Sequence, residues 1–313
     1  MRVLLGVLLV VVIVGCTDDS PRHDDGSATP PLELGDHSAG TLEPTRNAGP
    51  VSNPPRDNQF KTDKSHATIT NSIGMKLRLI PAGEFLMGSP VTEKDRDDNE
   101  TQHRVKITSP FFLGVYEVTQ GQWQSVMGTM PWKGQDFTRA VDEHPSSSVS
   151  WEDARSFCRK LSSMPKEKAT GHVHRLPTEA EWEYACRAGT TTAYSFGNDA
   201  TELGRYGWWG GLFGEGNAKD EQYAHGVGLK RPNAWGLYDM HGNVFEWCSD
   251  WYGDYPSGAV TNPTGPPTGS ARVLRGGSWD FESDSSRSAS RFRYPPGGRN
   301  ISLGFRVLRS SIK

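Results

Sequence analysis

Hydrophobic and polar positions change character along the chain. Val3 to Gly15 is almost wholly aliphatic, and Thr17 to about Thr68 has few large apolar residues. From about Ile69 to Leu308, short apolar runs are set among Gly, Trp and Tyr. Three helix starts stand out in this last stretch. Thr119 with Gln122 forms a capping box, and that helix runs through Trp123 and Val126 to a stop at Gly128. Ser150 precedes Glu152 and Asp153, acids that suit a first turn, and Trp151, Ala154, Phe157, Cys158 and Leu161 recur at helical spacing. Thr178 with Glu181 is a second capping box, opening a helix that stops at Gly189. Strands are short: Lys76 to Ile80, Arg104 to Ile107, Phe111 to Val118, Arg272 to Leu274 and Gly304 to Leu308. Few helices and scattered short strands predict a single α+β domain, residues 69–310, with long irregular loops.

The two earlier stretches are different in kind. The aliphatic run is too short to span a bilayer, which takes about 20 residues, and residues 1–15 read as a signal peptide. It ends Val14-Gly15-Cys16, which resembles the lipobox of bacterial lipoproteins, so Cys16 is the expected lipidation site. Residues 16–68 are rich in Asp, Ser, Pro, Gly, Asn and Thr and read as a disordered tether. The expected location is the cell envelope outside the cytoplasm, with the membrane reached through the lipid.

Composition narrows the partners. Net charge is −3 and there is no basic stripe, so nucleic acid is not an expected partner. Beyond Cys16 only Cys158, Cys186 and Cys248 remain, an odd number that leaves at least one thiol outside any intramolecular bridge.

The sequence then shows an ordered set of motifs. MKLRLIPAGEFLMG begins at Met75, FLGVYEVTQGQWQSVMG at Phe112, VSWEDARSFC at Val149 and RLPTEAEWEYACRAG at Arg175. PNAWGLYDMHGNVFEWCSDWY follows from Pro232, RGGSW from Arg275 and LGFRV from Leu303. In this order they resemble the formylglycine-generating enzyme family, also called sulfatase-modifying factor domains. The resemblance implies a C-type-lectin-like fold with little regular secondary structure. It also implies oxidation of a sulfatase cysteine to formylglycine by oxygen and Cu(I), the copper held by two thiolates after the RGGS motif. Soft Cu(I) prefers such ligands. Here the two cysteine positions fall on Phe281 and Ser286. Phenylalanine has no ligand atom and a serine hydroxyl is hard, so the copper pair is missing.

The resemblance further implies a structural Ca²⁺ site formed by Asp239, the carbonyls of Gly242 and Val244, and Glu246, a donor set suited to a hard cation. The alternative is a tight Gly-Asn turn whose acids accept from backbone donors. Arg275, Arg287, Arg291, Arg293 and Arg306 gather near Trp279, Phe292 and Tyr294. Some are expected in ion pairs with acids such as Glu179, Glu181 or Glu246. Trp279, Arg287, Arg291 and Arg293 are the candidates to line a groove for a peptide or an acidic ligand.

Other patterns carry less. Glu93 to Glu100 lacks the glycine of an EF-hand loop, and His172 with His174 lacks further zinc ligands. The glycines from Gly210 to Gly216 lack the Lys-Ser/Thr of a phosphate loop, and no Ser/His/Asp arrangement stands out. The expected function is therefore a non-oxidase binding or accessory domain with a protein or peptide partner. The alternative is an active oxidase acting on a sulfatase. A sulfoxide-synthase-like activity lacks the added helical domain such enzymes use.

Overall fold

The computed structural model describes residues 67–211, 216–218 and 221–310. The signal peptide, Cys16 and most of the tether lie outside the described residues. In chain order come β1 (Thr68–Thr70), β2 (Lys76–Ile80), β3 (Gly83–Met87), β4 (His103–Ile107) and β5 (Phe111–Gly114). Next are α1 (Gln120–Met127), α2 (Trp151–Ser163), α3 (Pro165–Ala169), β6 (His174–Arg175) and α4 (Glu179–Arg187). The second half holds β7 (Phe245–Trp251), β8 (Val260–Thr261), β9 (Arg272–Arg275), β10 (Phe292–Tyr294), β11 (Leu303–Gly304) and β12 (Leu308–Ser310). Short 3-10 segments occur at Ala200–Arg205 and Ser283–Ser286.

The strands form three small sheets. One has the order β1-β2-β5-β12-β6 and is antiparallel throughout. The second runs β10-β9-β7-β11, with β11 parallel to β7. The third is β3-β4-β8. This is the α+β class that the pattern predicts.

All three helix starts have complete capping boxes, at Thr119, Ser150 and Thr178. The helix ends follow the expected chemistry too. Gly128 closes α1 in the left-handed region at φ 72°, while Ala188 takes that place after α4, one residue before Gly189. Two predicted strands need correction. Phe111 to Val118 leaves the sheet after Gly114, because the following residues turn Glu117 inward to Asn243 and the Val244 amide. Gly304 to Leu308 is two strands in two sheets, and the residues between them carry Arg306 into the interior.

One core packs α1 and α2 beneath the second sheet. Trp123 stacks on Phe157 at 5.7 Å between centroids, and Phe305 meets Phe157 edge-on at 5.4 Å. Fully burying an aromatic of this size contributes about 1.5–3 kcal/mol. A second core surrounds α4, whose Trp182 and Ala185 are buried with Ile80, Leu113 and Cys248. Helix α4 also buries Glu179, Glu183 and Arg187. From the C-terminal segment Arg291 takes Glu179, and Arg275 shares Glu183 with Arg187 of α4 itself.

Candidate functional site

Strand β9 delivers the chain into the segment that holds the two substituted positions. Gly276 and Gly277 follow it with φ of 98° and 73°, values an L side chain rarely adopts. A Cβ on Gly277 would stand 2.3 Å from the Ser286 Oγ, so the turn closes only with glycine there. Ser278 then donates to Asp280 at 2.6 Å, and Trp279 is sealed among Ala218, Ala224 and Val244.

Phe281 packs as an apolar residue. Its ring meets Phe245 edge-on at 5.0 Å and Phe292 at 5.4 Å. Its carbonyl accepts from the Gly210 amide at 2.7 Å. Ser286 is fully buried, and its hydroxyl has no partner among the described residues. These are not two facing ligands but a packed ring and an isolated hydroxyl. Cys158, Cys186 and Cys248 do not replace them. Each is buried and unpaired. Burial pushes the Cys158 and Cys186 thiols up to about 12 and Cys248 well above the ordinary thiol range. Among the described residues no three His, Cys, Asp or Glu side chains converge as a metal site. The residues present do not fit a copper ion.

The Ser286 neighbourhood contains an arrangement that sequence reading missed. The Ser286 carbonyl accepts from His241 Nδ1 at 2.9 Å, which leaves Nε2 as the acceptor. Nε2 takes the Ser195 hydroxyl at 2.8 Å and the Ser195 amide at 3.1 Å. Cys186 Sγ lies 3.7 Å away from the same nitrogen. Burial pushes the imidazole down to about 4 while it pushes the thiol up, so the pair is neutral and not a thiolate with an imidazolium. The ring is oriented by a neutral carbonyl and not a carboxylate, so this is a lock between loops. Its members come from α4, two loops and the 3-10 segment Ser283–Ser286, and no spacing in the sequence brings them together.

The expected calcium donors are placed differently. Both oxygens of Glu246 meet Arg306, at 2.5 and 2.6 Å, and one also accepts from Trp182 Nε1 at 2.8 Å. Asp239 accepts from the Gly228 amide at 2.7 Å through one oxygen, and its other oxygen is buried without a partner among the described residues. Glu117, absent from the sequence-based set, approaches through Asn243 and Val244. Burial, then Asp239 and Glu246, push Glu117 well above the carboxylate range, and burial raises Asp239 to about 6. The positive charge in this nest is the guanidinium of Arg306, which takes up the glutamate a calcium ion would need. The four-donor set therefore does not fit calcium as it stands. The turn itself is real: Gly242 has φ 135°, and a Cβ there would stand 2.3 Å from the Trp208 carbonyl.

The expected arginine groove does not form. Trp279 is wholly buried. Arg287 is buried against Glu100 and Glu93, and Arg291 against Glu179. Only Arg293 reaches solvent, beside Tyr252 at 5.0 Å. Arginines this deep act as counter-ions, since a carboxylate taken out of water must be paired.

Comparison with known proteins agrees with this scaffold. The chain is 39% identical to a formylglycine-generating enzyme of Streptomyces coelicolor, over 72% of this chain and 87% of that protein. It is 30% identical to chaperone protein LppX of Paenibacillus barcinonensis, over 64% of this chain and 81% of the relative. The solved structure of Treponema denticola variable protein 1 superposes with a TM-score of 0.66 at 30% identity, covering 79% of this chain and 99% of that one. The sulfatase-modifying factor enzyme 1-like domain matches residues 65–311. With the motifs in order, the three small sheets in place and this match spanning the folded region, the chain belongs to the sulfatase-modifying factor enzyme 1-like family.

Proposed function

We propose that this protein is a non-oxidase binding or accessory member of its family, held to a membrane by lipid on Cys16. The observation that carries the reading is the state of the two substituted positions. Phe281 is one ring of a packed aromatic trio, and Ser286 is a buried hydroxyl. Neither supplies a soft ligand for Cu(I). The remaining thiols are protonated at neutral pH because burial disfavours their charged form. Further support comes from a relative that is named a chaperone, LppX. The lipid anchor rests on the aliphatic run that ends at Gly15-Cys16.

A second reading, formylglycine generation, is favoured by the 39% identity to the Streptomyces enzyme. One experiment separates the two. The protein is incubated with copper, oxygen and a Cys-x-Pro-x-Arg peptide, and the peptide mass is followed. The accessory reading expects the mass to stay unchanged. Conversion of the cysteine to formylglycine would overturn it.

A further inference from the structure

A cavity of about 470 Å³ opens where β4, β8, the start of α4 and the loop after β7 meet. That size lies within the range of small-molecule sites. Trp251, Tyr255, Pro263 and Pro266 give it flat apolar walls. Its ionic groups divide into those already used and those still free.

Arg291 is used at every nitrogen. Nε and Nη2 meet Glu179, Nη1 donates to the Asn99 carbonyl and Nη2 also reaches the Gly253 carbonyl. Its guanidinium lies flat on Tyr255 at 3.7 Å. Glu179 is equally committed, to Arg291 and to the Tyr255 hydroxyl at 2.8 Å. Among the described residues the cavity therefore has no free cation with which to hold an anion.

What remains free accepts hydrogen bonds. Asp250 is 4% exposed, and its Oδ2 takes the Glu179 amide and the Ser249 hydroxyl. Oδ1 has no hydrogen-bond partner among the described residues, and Asp250 lines the cavity. His103 is 6% exposed and its Nδ1 lies 3.0 Å from the Thr101 carbonyl. The Thr101 carbonyl can only accept, so Nδ1 carries a proton, and Nε2 is the ring nitrogen left for another partner on a residue that lines the cavity. Asp254 adds an exposed carboxylate at the mouth. Two buried acceptors, a surplus of negative charge and apolar walls complement a cation with an apolar stem.

We propose that this cavity binds an ammonium or guanidinium group on an apolar stem. Asp250 Oδ1 and His103 Nε2 take its N–H groups, and the stem lies against Trp251, Tyr255 and the prolines. The site is independent of the proposed accessory function and of any chemistry near Ser286. The electrostatics around Asp250 agree with the proposal. Burial and then Glu179 push its carboxyl up to about 7, with Glu181 adding to the effect. Arg175 and Arg272 lie near enough to interact but do not offset this. A bound cation supplies the missing positive charge.

The test is calorimetric titration of the full-length protein with n-butylguanidinium and with its neutral isostere n-butylurea. An acetylated arginine peptide and its citrulline counterpart are titrated in parallel. The charged member of each pair should bind tighter by at least roughly tenfold, the value of one hydrogen bond to a charged group. Tighter binding of the peptide assigns the source to a protein side chain, and tighter binding of n-butylguanidinium to a free small-molecule cation. Asp250→Asn should erase the preference. Thr264→Trp, at an exposed lining position, should block binding with an unchanged melting temperature. Absence of binding would overturn the proposal, as would equal binding of the neutral isosteres or charged-probe binding that survives Thr264→Trp.

Discussion

Arg306 shows how one side chain sets the character of its surroundings. It is fully buried, meets Glu246 with two nitrogens and reaches the carbonyls of Gly114 and Tyr238 at 3.0 Å each. Glu117 and Asp239 lie in the same nest, and both are pushed toward the protonated form. The nest therefore holds three acids against one deep guanidinium. Arg306→Met keeps the volume and removes the charge, leaving Glu246 buried without its partner. The expected loss is about 3–5 kcal/mol, the usual consequence of breaking a buried pair from one side. Urea denaturation of the variant measures it. A loss below 1 kcal/mol would mean that the nest relaxes onto water. Phe281 is the reverse case, where a position at which the family resemblance implies a copper-binding cysteine is a ring in packing.

At the scale of elements, local signals and long-range ones separate. Helix α4 starts at a reciprocal box in which Thr178 accepts from the Glu181 amide and Glu181 accepts from the Thr178 amide. Thr178→Ala should lower stability by about 1 kcal/mol, read as a shift in the denaturation midpoint with unchanged slope. The boxes at Thr119 and Thr178 were legible in the sequence because the partners stand three residues apart, whereas Ser150 was read as a helix start from its first-turn acids. Strand β7 was not legible. Nearly all of Phe245–Trp251 is buried on both faces, so it has no alternation to read. Strand β3 was missed because it starts at Gly83 inside a run that reads as a turn. The split of β11 from β12 depends on which sheet each strand joins, and the LGFRV run does not encode that. The substituted positions Phe281 and Ser286 could be placed by counting from Ser278. The Ser195–His241 contact and the Asp250 cavity could not, since their members are far apart along the chain. The arginine groove failed for a related reason. Charge and aromaticity suggested a surface, whereas the partners that bury those arginines lie on α4 and in the loop before β4.

At the scale of the whole molecule, the proposed arrangement is a folded family domain carried on a long polar segment ending in a lipid. Cys16→Ala tests it directly. In a fractionated cell the variant should move from the membrane to the soluble pool, and a variant that remains membrane-bound and lipidated would remove the anchor from this account. The described fold adds a consequence in time. Strand β12, near the end of the chain, sits between β5 and β6, and the guanidinium groups that neutralise α4 come from Arg275 and Arg291. A growing chain that has made α4 but not yet these residues holds carboxylates that cannot be buried and a sheet with its interior strand missing. Contacts of such long sequence separation delay folding until the distant segments meet. The domain therefore cannot close until Arg275, Arg291 and β12 have all been made.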